Sequence, residues 1–338
     1  MIWLFSAVGL FLGWLALRDI RWDAFLESFG WLNPLWAVVF LLCMAVMIYL
    51  RTQRWEGMIR TLLPSDFDKL FVRLTTWVGF AAVMVFPLRA GELYRCAVFR
   101  SRPGRPGNGS AVLGALLLER ALDGLAVACM LALALGAVLW RHDSTRIHVS
   151  TWVLWGLVSA GFSALLAIVL WMAHSPQNCI HFLFRWSGLV LLKKNPNVIQ
   201  WMQKISDIAE RLSQGVRHGL HTRILMRTIL LTVAYWGMNV IGVWALQKAF
   251  YLPTELEAAG LVVGFSAIGV FIPGPPGHVG NFHEFARLGL SSQLSNAMVV
   301  GTGMAFVVTL HAVQTLMYLS LGLLAFLLLA SRSHSNKT

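Results

Sequence analysis

Charged side chains are scarce in this sequence: 12% of 338 residues, with 15 acidic ones against 27 Lys and Arg. Cysteine is scarcer still. Cys43, Cys96, Cys129 and Cys179 show no C-x-x-C or metal-ligand spacing, which argues against a disulfide framework or a zinc site. At least two of them lie in apolar runs, where a free thiol behaves as a small hydrophobe. No H-E-x-x-H, P-loop, dinucleotide fingerprint or nucleophile elbow occurs, so no catalytic residue, cofactor or metal is assigned. What fills the chain is apolar: 57% hydrophobic residues, with 15 Trp and 20 Phe, a composition that would precipitate as a water-soluble globule. Runs of the roughly 20 apolar residues needed to cross a bilayer recur along it. The sequence reads as an all-α polytopic membrane protein.

A net charge of +12 invites a nucleic-acid partner, but the distribution of that charge rejects one. The basic residues sit in short loops beside apolar spans, the positive-inside pattern. Six candidate full spans are 1–17, 34–50, 110–140, 151–173, 227–250 and 296–330. The first lacks a basic n-region and a small-x-small cleavage site, so we take it as a retained span rather than a signal peptide. Between them, 70–99 and 258–290 each join a short apolar half, a proline break and a charged second half. If both are re-entrant and the N-terminus is cytoplasmic, 17 basic residues, Arg51 and Arg54 among them, lie inside and 6 outside. The expected fold is therefore about six full transmembrane helices plus two re-entrant broken-helix hairpins. Both termini would be cytoplasmic in a bacterial inner membrane. We expect one integral domain, 1–338, built as a first half (1–173), a cytoplasmic amphipathic loop (174–222) and a second half (223–338).

The two odd segments begin alike. GFAAVMVF from Gly79 and GFSAIGVF from Gly264 share five of eight residues. Entering from opposite sides, they would form an inverted repeat, the plan that gives many transporters a midplane site. Chance likeness between apolar strings is the alternative. Gly260 and Gly264 form a G-x-x-x-G pair, a helix-packing signal. In the long loop, Val198, Trp201, Met202, Ile205, Ile208, Ala209, Leu212 and Val216 recur at helical spacing. That stripe suits an interfacial helix on an anionic leaflet or a packing helix equally.

The ionisable residues cluster beyond the breaks. In FPLRAGELYR, Pro87 ends the helix, Gly91 frees the turn, and Arg89, Glu92 and Arg95 follow. In LLLERALDGLA, Glu119 and Asp123 share a helical face with Arg120 about 100° round. Unpaired in hydrocarbon, these six would cost roughly 15–20 kcal/mol, more than the roughly 5–15 kcal/mol stability of an ordinary domain. Their charges sum to zero, so they can pair as a locking network or line a hydrated cavity for an anionic headgroup. In IPGPPGHVGNFHEFAR the breaks are Pro273, Pro276, Gly277 and Gly280, followed by His278, His283, Glu284 and Arg287. A half-helix starting near Asn281 would aim free amides at an anion. His311 reads as a simple interhelical hydrogen bonder.

At LRAGELYR, ERALD and PGHVGNFHE the chain resembles the lysylphosphatidylglycerol-synthase transmembrane region, or flippase-like integral membrane, family. The three motifs occur in family order. The third departs from the common P-G-G-x-G-x-x-E: His278 replaces a glycine, His283 stands at the Glu position, and Glu284 comes one residue later. The resemblance implies lipid translocation. In multidomain relatives such a region moves aminoacylated lipid, and other relatives are linked to hopanoid or prenyl-lipid glycosylation. The expected function is a lipid translocase whose partners are membrane lipids, anionic or zwitterionic, with Arg89 and Arg95 on phosphate. Glu92, Glu119 and Asp123 would orient the arginines or engage a cationic headgroup, and His283 and Glu284 would supply the outer half. One rival is a transferase on a lipid carrier, using Glu119 and Asp123 as base or metal site and His283 as general base. The other is a non-catalytic partner of a lipid-biosynthetic enzyme.

Overall fold

A computed structural model of the chain describes residues 2–60, 62, 68–99, 109–140, 149–186, 196–272 and 274–335. Helices make up 88% of it, and no strand occurs among the described residues. In order they form α1 (Ile2–Leu17), α2 (Trp22–Glu27), α3 (Pro34–Ile59), α4 (Lys69–Val85), α5 (Gly91–Ala97), α6 (Gly109–Trp140) and α7 (Val149–His174). Then follow α8 (Pro176–Trp186), α9 (Pro196–Gly219), α10 (Thr222–Ala249), α11 (Leu256–Phe271), α12 (Asn281–Ser291), α13 (Asn296–Met298) and α14 (Met304–Ser335). A π-helical segment, Val299–Gly303, joins the last two.

Among the described residues, five helices are long and apolar enough to cross a membrane: Pro34–Ile59, Gly109–Trp140, Thr151–His174, Thr222–Ala249 and Asn296–Arg332. The protein is a multi-pass membrane protein. At 16 residues, α1 is about 24 Å long and falls short of a hydrocarbon core of about 30 Å. Local chemistry sets the starts. Asn33 Oδ1 accepts from the amides of Leu35 and Trp36 at 3.0 and 3.3 Å, and Pro34 opens α3 where its missing N–H costs nothing. Asp68 caps α4 through the Leu70 amide.

Boundaries differ from the sequence reading. The span expected from residue 227 begins at Thr222, which places Arg223 in a helix. The span expected to end at residue 50 continues to Ile59, so Arg51 and Arg54 belong to a helix rather than an inner loop.

The halves interlock. The longest contact joins α3 to α10, where Gly242 gives room to Cys43. The α4 helix lies on α14, with Gly322 against Ala81, and α11 lies on α6, with Gly260 and Gly264 against Ala134 and Leu131. The α4 and α11 helices thus each rest on a long helix far away in the chain, α14 and α6.

The amphipathic α9 crosses α6 with almost nothing between the backbones. A Cβ on Gly114 would strike the Leu212 carbonyl, and one on Gly215 the Ala111 carbonyl. Ala209, Ser213 and Val216 are buried along this face, while Trp201 and Ile208 stay exposed. The helix therefore packs on one side and keeps apolar groups outward on the other. Gly215→Leu should separate the two helices and cost about 1–3 kcal/mol, seen as a lower melting temperature of the detergent-solubilised protein. An unchanged melt would contradict the close crossing.

Candidate functional site

The first break follows from Pro87. After Val85 the backbone extends at Phe86 (φ −94°, ψ 138°), and Pro87–Arg89 make a single 3-10 turn. Gly91 then lets α5 fold back on α4, because a Cβ there would collide with the Ala82–Val83 backbone. Gly79 likewise makes room for the stem of Arg95. The second break repeats the design. A 3-10 turn spans Pro276–His278, Gly280 takes φ 90°, and α12 starts at Asn281 and folds back on α11 beside Gly269. Pro273 lies outside the described residues.

Laid over each other, PLRAGELYR (87–95) and PGHVGNFHE (276–284) match Arg89 with His278, Gly91 with Gly280, Glu92 with Asn281 and Arg95 with Glu284. Arg89 (φ 57°) and His278 (φ 55°) are both left-handed non-glycine residues, a conformation that costs about 1–2 kcal/mol each. The two turns touch, and the second also packs on α4.

Around this junction lies a buried cluster of charge. Arg54, fully buried on α3, bonds Asp123 Oδ1 and Glu119 Oε1, each at 2.5 Å, and the Thr232 hydroxyl at 2.8 Å. Arg120 donates to Glu119 at 2.7 Å and approaches Asp123 at 3.2 Å and Glu92 at 3.6 Å. Arg89 meets Glu92 at 2.6 Å. Arg95 reaches Glu119 at 3.4 Å and sits over Trp55, 3.6 Å from the ring centroid. Tyr235 donates to Asp123 Oδ1 at 2.6 Å. Arg51 sits over Phe80 and donates to the Tyr318 hydroxyl at 3.1 Å.

Five arginines thus surround three carboxylates. With Arg51 and Arg54 included, the cluster is two charges positive rather than neutral as the six residues alone had suggested. Beside it opens a cavity of about 120 Å³, room for several waters, bounded by Arg51, Arg89, Arg120, Asp123, Asn239 and Gln314 on its polar side. Phe80, Trp236, Phe271 and Phe282 supply apolar wall.

The structure therefore brings Arg89, Glu92, Arg95, Glu119, Arg120 and Asp123 together, though Glu92 pairs with Arg89 and Arg120 rather than with Arg95. It divides the second set. His278 is buried at the junction with both ring nitrogens unpartnered. His283 Nδ1 accepts from the Gly280 amide at 3.3 Å and its ring meets His311, which bonds the Gly277 carbonyl at 2.8 Å. Glu284 and Arg287 pair with each other at 2.6 Å on a helix packed against α1, and neither borders the cavity. Sequence reasoning missed Arg51, Arg54 and Tyr235. The spacing Pro-x-x-x-Gly, common to both breaks, was the available signal for the matched turns. Among the described residues, no group of three or more His, Cys, Asp or Glu is placed to hold a metal.

Residues 2–322 match the family described as Lysylphosphatidylglycerol synthase TM region. No curated protein and no solved structure gives a match. The three motifs and the helical fold agree with that match across nearly the whole chain, and the chain belongs to the lysylphosphatidylglycerol synthase TM region family, as an integral membrane protein related to lipid modification or translocation.

Proposed function

We propose that this protein is a lipid translocase of a bacterial inner membrane. The observation that carries the proposal is the cation-rich cavity at the meeting point of two matched broken helices. Irregular backbone and charge at such a place are tolerated in a membrane protein where they line a polar passage. A headgroup would occupy the cavity while its tails stay in lipid. The two breaks would be re-entrant hairpins of an inverted repeat, with 1–173 and 223–338 rocking about the site and the termini cytoplasmic. Arg89 and Arg120 would hold the headgroup; Arg95, fixed between Trp55 and Glu119, would position the others. The transferase reading is less favoured, because Glu119 and Asp123 are already engaged by arginines and are poor bases in that state.

The test is reconstitution in vesicles containing a fluorescent phospholipid, with sidedness read by an impermeant quencher. Faster exchange between leaflets is the expected result, with the lipid recovered chemically unchanged. A new covalent product would establish a transferase instead. Absence of both, with a biosynthetic enzyme co-purifying, would establish the partner reading.

A further inference from the structure

The hydrogen bonds around the cavity are unbalanced in one direction. Asp123 is the single carboxylate among the residues that border it. Its Oδ1 accepts from Arg54 and from the Tyr235 hydroxyl, and its Oδ2 accepts from Arg54 at 3.1 Å and faces Arg120 at 3.2 Å. An ionised carboxylate offers about four lone-pair directions, and here three accept hydrogen bonds while Arg120 faces the remaining side as an ion pair. Glu119 is likewise committed, to Arg54, Arg95 and Arg120 through both oxygens, and Glu92, which does not border the cavity, meets Arg89 and Arg120 through Oε1. Donors, by contrast, are left over. The Nε atoms of Arg51 and Arg120 are buried without a hydrogen-bond partner among the described residues. Among the described residues Arg51 has no carboxylate within 4.0 Å, only the Tyr318 hydroxyl. Arg89 Nη1 has only a long contact of 3.4 Å to the Val270 carbonyl.

We infer that the cavity selects a phosphate-bearing headgroup that carries no ammonium group. This rests on the translocase reading and names the substrate class. A phosphodiester supplies the acceptors that Arg51, Arg89 and Arg120 lack, and the amides of Asn239 and Gln314 suit neutral hydroxyls beyond it. An ammonium finds no uncommitted carboxylate on the cavity wall and two surplus positive charges. Rejection of the wrong headgroup by repulsion is a recognised source of specificity.

The measurement uses the full-length protein in neutral detergent micelles doped equally with phosphatidylglycerol, phosphatidylethanolamine and lysylphosphatidylglycerol. Native mass spectrometry then counts the retained lipid. Phosphatidylglycerol should be enriched at least about tenfold over both aminated lipids, since like charges placed together are strongly disfavoured. Arg51→Gln should erase most of that preference. If that variant fails to fold, the wild-type comparison decides alone. Equal retention, or preference for an aminated lipid, overturns the inference. So does displacement of the lipid by millimolar inorganic phosphate, which would make the cavity a free-anion site. Vesicle assays separate this claim from the one beneath it. Equal transfer of aminated and plain lipids sinks the charge selection and leaves the translocase. Selective retention with no transfer at all does the reverse.

Discussion

Arg54→Met should leave little folded protein. The side chain is fully buried and bridges Glu119 and Asp123, which come from a different helix. Removing one member of a buried ion pair costs about 3–5 kcal/mol, because the partner's charge stays behind without its counter-charge. Here two carboxylates would be stranded, against a total stability of about 5–15 kcal/mol for an ordinary domain. The check is a thermal melt followed by size-exclusion chromatography in detergent. Arg54→Lys should fall between wild type and Arg54→Met, since a compact ammonium cannot reproduce the flat fork that reaches both acids. Adding Glu119→Gln and Asp123→Asn to Arg54→Met should recover part of the loss. A single methionine variant that melts like wild type would show that the cluster does not hold the helices together.

The largest functional effect should come from Arg89. Its guanidinium borders the cavity and is anchored by Glu92 alone among the carboxylates. A hydrogen bond to a charged group contributes about 1.5–3 kcal/mol, so Arg89→Gln should slow headgroup transfer by about 10- to 150-fold. Stability should change far less, because Glu92 keeps Arg120 at 3.6 Å. Arg89→Gly sharpens the test. The left-handed backbone at φ 57° favours glycine, so this variant should fold at least as well as wild type yet transfer no lipid. Undiminished transfer in either variant would remove Arg89 from the passage.

Much of this was legible from the residues themselves. The prolines marked both breaks, α12 begins at Asn281 as its spacing suggested, and the three motifs identified the family. The composition of the charge cluster was not legible, for two reasons. Hydropathy fades at Arg51, and the span was cut there, although nothing between Leu50 and Ile59 interrupts a helix. The partners of Arg54 then lie 65 and 69 residues further along, a separation that no local periodicity reports. For Glu284 and Arg287 the arrangement is local. Their spacing of three on a helix permits a private pair, and that is where both charges go.

Gly114, pressed against the Leu212 carbonyl of α9, lies five residues from Glu119 on the same unbroken helix, about 7.5 Å of rise. A stiff rod cannot shift at one end alone. Any push or pull on α9 therefore reaches the acids that grip Arg54. The charge cluster is thus mechanically geared to a helix that contributes none of its members.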